Sequence, residues 1–230
     1  MSSRAPSITT RGPGAARTGW TAMELVTGTA LVAVATLAGL FFVRTPAPNP
    51  IDTLGNQLLP VSYGAQWAHD LTQVGSLSGV LIGIVVLFVV GLTRDWVRAV
   101  ACAVAPLGAV FIVDQVAKPL VHRHIGDAVG SYPSGTVTAV AALAAGAVLV
   151  APPIARAVAA VLAAALVVGI CAAVVVLRWH YPTDALGGAC VGVGAVLLLD
   201  ALAHLPWIIG ARMGWAHQAH VRKHPSAGWT

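Results

Sequence analysis

An all-α bundle of six transmembrane helices is the fold class this chain predicts, and three observations predict it. Only 13 basic and 8 acidic side chains stand among its 230 residues, where a soluble domain devotes about a quarter of its residues to charge. Hydrophobic residues make up 57% of the chain and mean hydropathy is +0.82. The apolar residues also fall in long runs, at about 23–43, 74–92, 99–117, 136–152, 157–177 and 184–207. Each is long enough, or nearly so, to cross a hydrocarbon layer of roughly 30 Å as helix. A bilayer leaves an exposed peptide group no water to bond, so such runs are expected to be helical.

The elements follow in order. Residues 1–20 are rich in Ser, Thr, Gly, Pro and Arg and read as a disordered tail. The first span follows with no small-residue cleavage site behind it, so it reads as an anchor and not a removed leader. The stretch 44–73 is polar and turn-rich, with a short interfacial helix expected near Gly64–Leu71. Short basic turns join spans two and three (Arg94, Arg98) and spans four and five (Arg156). The membrane domain closes at about residue 210, and 211–230 is a basic tail. Six crossings put both tails and both short basic turns on one side, cytoplasmic by the positive-inside rule. The loops 118–135 and 178–184 then share the extracytoplasmic side.

The net charge of +5 sits in turns and tails, so it reads as topology and not as a nucleic-acid surface. Cys102, Cys171 and Cys190 lie in or beside apolar runs and match no metal-ligand spacing. Most tryptophans fall near span boundaries, as an aromatic belt requires. Asp200 and His204 stand four apart near the end of span six, close to the headgroups or in a polar contact between helices. The spans carry almost no other polar residue at mid-depth, which argues against a solute transporter.

Chemistry concentrates in the two loops. They supply Lys118, Arg123, Ser134, Arg178, His180 and Asp184, a cationic, hydrogen-bonding set suited to an oxyanion. Tyr132-Pro133-Ser134-Gly135 leads into span four, whose first backbone N–H groups and positive dipole end can hold phosphate. If the last helix starts near Tyr181, His180 and Asp184 share a face one turn apart, as nucleophile and orienting carboxylate. Simpler roles stand beside these: Ser134 as a helix cap, Lys118 as a membrane anchor or as the partner of Asp114.

Lys118, the Pro133-Ser134-Gly135 triplet and His-Tyr-Pro-Thr-Asp at 180–184 occur in the order found in the type 2 phosphatidic acid phosphatase superfamily of membrane lipid phosphatases. The chain resembles that family over about residues 70–205. The resemblance implies a six-helix bundle, phosphate binding by Lys118, Arg123, Ser134, Gly135 and Arg178, and a phosphohistidine formed on His180 with Asp184 behind it. It implies no metal and no cofactor. The implied substrate is a lipid phosphate or polyprenyl diphosphate, handled among membrane lipids.

The chain departs from the family pattern at four positions. Ile125 and Gly126 stand where the family has Arg-Pro, and Arg123 is the nearby substitute. Val174 replaces an Arg, with Arg178 the substitute. Thr136 replaces the family's general-acid His. General acid catalysis contributes roughly 10²–10⁴-fold, and a phosphate leaving group needs it least. Three readings remain open at this point: cleavage of a diphosphate, an acid supplied by His122 or His124, or a catalytically impaired homologue that binds anionic lipid or supports a membrane assembly.

Overall fold

A computed structural model describes residues 13–126 and 128–223. Nine helices are described: α1 Pro13–Arg44, α2 Pro50–Leu58, α3 Gln66–Thr72, α4 Leu77–Leu92, α5 Trp96–Ile112, α6 Lys118–Val121, α7 Gly135–Val150, α8 Arg156–Val176 and α9 Pro182–Lys223. A 3₁₀ turn, Gln73–Gly75, links α3 to α4, and a π-helical turn, Val113–Ala117, carries α5 into α6. The sole sheet among the described residues is a two-stranded hairpin, β1 His124–Ile125 against β2 Ala128–Val129.

Every run expected to span is helical, but the spans are unequal. Four helical stretches are long and apolar enough to cross a membrane: Gly19–Arg44, Trp96–Val121, Arg156–Val176 and Pro182–Pro206. This is fewer than the six expected. The α3–α4 pair qualifies only when taken together, across a 53° bend. At the bend Ser76 caps α4, its hydroxyl accepting from the Gly79 N–H at 3.2 Å. Helix α7 has 16 residues, roughly 24 Å at 1.5 Å per residue. It is short because it is central: Val137 through Ala144 are all buried, against α4, α5, α8 and α9.

Small residues make that centre. An added Cβ at Gly192 of α9 would lie 2.3 Å from the Thr138 carbonyl oxygen of α7, and one at Gly188 would lie 2.5 Å from that of Ser134. Gly28 of α1 and Gly194 of α9 meet in the same way, each facing the other's carbonyl at 3.0 Å. Such close backbone approach is how helices associate where the surrounding lipid is as apolar as the side chains.

The outside of the bundle is apolar. Val34, Leu37 and Leu40 on α1, Ile82 and Val85 on α4, and Val161, Leu162 and Val168 on α8 are all exposed. An apolar surface of this extent is foreign to a soluble monomer. Trp67 and Trp179 are exposed towards one end of the bundle, Trp20 and Trp96 towards the other. An all-α protein with several long apolar helices, associated with a membrane, accounts for these features.

The ends of the chain differ from expectation. Helix α1 begins at Pro13, inside the segment 1–20 expected to be unfolded, and residues 1–12 lie outside the described residues. Helix α9 runs on to Lys223 through most of the expected tail, and 224–230 lie outside the description. Helix α2 was not expected. Its start is nonetheless well specified: Pro50 at the first position, with Asn49 and Asp52 forming a reciprocal capping box.

Candidate functional site

At one end of the bundle the two chemistry-bearing loops meet. The hairpin turns the chain back on itself, and the N–H groups of Gly130 and Ser131 both donate to the Arg123 carbonyl, at 2.8 and 2.9 Å. Gly130, at φ +78°, lies in the left-handed region where a side chain would be strained. This delivers Ser131, Tyr132 and Ser134 to the start of α9, where the Ser134 N–H donates to the Asp184 carbonyl at 3.0 Å. Tyr132 is buried, and its hydroxyl donates to the Ala35 carbonyl at 2.6 Å, tying the loop to α1.

His180 is positioned from both sides. Just past the end of α8, Arg178 takes the left-handed conformation (φ 62°), and the N–H groups of Trp179 and His180 fold back to the Val174 carbonyl. The His180 Nδ1 lies 2.8 Å from the Ser131 carbonyl oxygen. A carbonyl only accepts, so Nδ1 carries the proton and Nε2 keeps its lone pair. Burial, then the nearby charge of Lys118, pushes the imidazole pKa down to about 4. At neutral pH the ring is therefore uncharged and nucleophilic.

The expected partnership with Asp184 takes a different form. Nδ1 and Asp184 Oδ2 are 4.0 Å apart, an electrostatic neighbour and not a hydrogen bond. The backbone carbonyl of Ser131 orients the ring instead. Asp184 is fully buried and accepts from the Tyr181 N–H at 3.0 Å and from Arg123. Helix α9 starts at Pro182, close to the expected Tyr181, but the His180 ring is turned to the Ser131 carbonyl and not to the carboxylate.

Arg123, expected among the phosphate ligands, is fully buried and already engaged. Its guanidinium donates to Asp184, Asp52, Thr183 Oγ1 and the Pro46 carbonyl. Its Cζ lies 3.8 Å from the Phe42 ring centroid and 4.7 Å from that of Tyr181. Asp52 was missed by sequence reasoning, although its place in the Asn49 capping box is legible. It also accepts from the Thr183 N–H and hydroxyl, at 3.0 and 2.7 Å. Burial alone would raise the Asp52 carboxyl, but bonds from Thr183, Arg123 and Asn49 outweigh it and hold its pKa below the usual value. The cluster locks α2, the hairpin and α9 together beneath His180.

The other expected ligands divide. Ser134 is buried and caps α7, its hydroxyl facing the Val137 N–H at 3.4 Å. Lys118 Nζ pairs with Asp114 Oδ1 at 2.7 Å across the π turn. It stands over the α7 N-terminus, 3.6 Å from where a Cβ on Gly135 would lie. Arg178 keeps one buried guanidinium nitrogen, Nη1, with no partner among the described residues. His122 and His124 are exposed, alternating with inward-facing Arg123 and Ile125, and neither side chain bonds a described residue. Thr136 packs its methyl against Gly75, at 2.5 Å from an added Cβ. Val174 is buried in an apolar cluster with Val137, Val140, Ile170 and Ala185.

Compared with protein-family models, curated proteins and solved structures, the chain matches none. Among the described residues no three His, Cys, Asp or Glu side chains gather closely enough to hold a metal ion. The arrangement provides a neutral imidazole with a free Nε2, a lysine over a helix N-terminus and an unpaired arginine nitrogen. Groups of these kinds suit an oxyanion chemically.

Asp200 and His204 make the inter-helix polar contact at the opposite end. Asp200 takes a two-pronged ion pair from Arg98, at 2.7 Å for the shorter arm, and His204 Nε2 lies 3.0 Å from Asp95.

Proposed function

We propose that this protein is a membrane lipid phosphatase. It cleaves a polyprenyl diphosphate or related lipid phosphate through a phosphohistidine on His180. The observation that carries the reading is the state of His180: Nδ1 is held by a carbonyl, the ring is kept neutral, and Nε2 is free at the end of the bundle. Nε2 attacks phosphorus, the P–O bond to the leaving group breaks, and water later cleaves the P–N bond. Lys118, the Gly135 end of α7 and Arg178 bind the phosphate oxygens. Arg123 and Asp52 act at one remove, by holding Asp184 and the hairpin in place. Asp184 stabilises the cation that develops on the ring.

No acid stands at position 136, where the threonine methyl is packed on Gly75, and His122 and His124 face outward. A leaving phosphate needs no proton at neutral pH, so a diphosphate is the preferred substrate. The reading includes six crossings, counting α3–α4 and α7, with both termini cytoplasmic and the site extracytoplasmic. It is consistent with α7 running from the Ser134–Asp184 contact to the end that carries Arg98.

A second reading, a catalytically impaired homologue that binds anionic lipid, has its own support. Lys118 and Arg123 are each already paired with carboxylates. Phosphate release by detergent-purified protein decides between them. Polyprenyl diphosphate and the matched monophosphate are the substrates, with His180→Ala as the control. Release from the diphosphate that vanishes in the variant is the expected result. A folded protein that releases no phosphate from either lipid would overturn the enzymatic reading.

A further inference from the structure

The end of the bundle away from His180 contains a cleft of about 570 Å³ between α1, the α4–α5 turn, the α7–α8 turn and α9. Its wall is apolar, formed by Met23, Leu149 and Leu197 among others, and its polar lining includes three arginines, Arg94, Arg98 and Arg156. The acids nearby are committed. Glu24 and Asp200 both pair with Arg98, at 3.6 and 2.7 Å. Asp95 caps α5 and meets His204.

The other two arginines are not neutralised. Arg94 is exposed and pairs with no described residue. The Arg156 side chain makes one long contact, Nη2 to the Ala151 carbonyl at 3.4 Å, and its buried Nε–H has no partner among the described residues. A buried guanidinium N–H left without a partner is costly, more so for a charged group. Membrane topology accounts for arginines on this side of the bundle. It does not account for two of them lining a concave, apolar-walled cleft with a buried donor unsatisfied.

We infer that this cleft is a binding site for an anionic phospholipid. The headgroup phosphate is held by Arg94 and Arg156, and an acyl chain lies along the Met23–Leu149–Leu197 wall. Among the described residues the acids pair with Arg98 and His204, and neither Arg94 nor Arg156 forms an ion pair with one of them. The apolar wall suits a lipid better than a free anion. This site is separate from His180 and does not depend on the reaction proposed there.

The test is direct lipid binding by the full chain in zwitterionic detergent, read by native mass spectrometry and by thermal shift. Phosphatidylglycerol, phosphatidylcholine and inorganic phosphate are the probes. The expected result is saturable phosphatidylglycerol binding, weakened about tenfold or more in R94Q/R156Q, as the loss of charge-assisted contacts requires. Arg44→Gln, an exposed cation at the other end, leaves binding unchanged. R94Q alone, at an exposed position, serves if the double variant does not fold, and weakens binding in the same direction. Equal binding by parent and both variants, equal loss in Arg44→Gln, or a response to inorganic phosphate matching that to the lipid would each overturn the assignment. Phosphatase activity is not the readout, so an inactive His180 site leaves this result interpretable.

Discussion

A single guanidinium, that of Arg123, stands between two fully buried carboxylates, Asp52 and Asp184. Removing it strands both acids in a low-dielectric setting, and breaking a buried pair from one side costs about 3–5 kcal/mol. Arg123→Gln should therefore lower thermal stability sharply, and Arg123→Lys should recover only part, because a lysine cannot reach both acids and stack between Phe42 and Tyr181. Thermal unfolding of the purified variants in detergent reads both. At His180 the expected signature is in pH. The ring must be neutral to attack, and its pKa lies near 4 rather than at the ordinary value of about 6.5. Hydrolysis should accordingly persist as pH falls through 6 and fail only near 4. The charge of Lys118 contributes to that depression, so Lys118→Met should move the acid limb of kcat/KM to higher pH. An unmoved limb in a variant that retains activity would show that Lys118 does not act on His180.

Among the elements, α7 and α9 depend on glycines where one backbone rests on the other. Gly192 faces the Thr138 carbonyl at a distance no real Cβ tolerates. Gly192→Val should separate the helices and destabilise the bundle by at least the 1–3 kcal/mol usual for overpacking. Glycine at 210, where nothing lies within 4 Å of an added Cβ, provides the matched control: Gly210→Ala should be silent. Gel-filtration profile and melting temperature distinguish the two. Helix α2 shows a second dependence. Its Asn49 cap also aligns Asp52 for Arg123, so Asn49→Ala should cost about 1 kcal/mol, as lost caps do, and more if Asp52 shifts with it. The motif was legible in Asn49-Pro50-Ile51-Asp52. Its partner was not, because Arg123 lies 71 residues away in sequence.

For the whole molecule, the polar groups divide between two ends. His180, Lys118, Arg123 and Asp184 gather at one, Arg98, Asp95, Asp200 and His204 at the other. If these ends face opposite sides of a membrane, single cysteines at exposed His122 and exposed Arg94, in a background without Cys102, Cys171 and Cys190, should label differently in intact cells. A membrane-impermeant reagent should reach position 122 at once and position 94 only after permeabilisation. Labelling of both positions from outside would refute the proposed topology. The sequence by itself determined that the chain is apolar and helical, and where its long apolar runs lie. Those properties are local: hydropathy, period and caps are read along the chain. Only the tertiary structure decided that α7 is a short central helix and not a full-length span. It also decided that Arg123 faces inward to Asp52 and Asp184, and that a Ser131 carbonyl, not Asp184, orients His180. Each of these depends on which groups meet across tens of residues. A buried charge takes the nearest opposite charge that folding brings to it, and no spacing rule along the chain records that encounter.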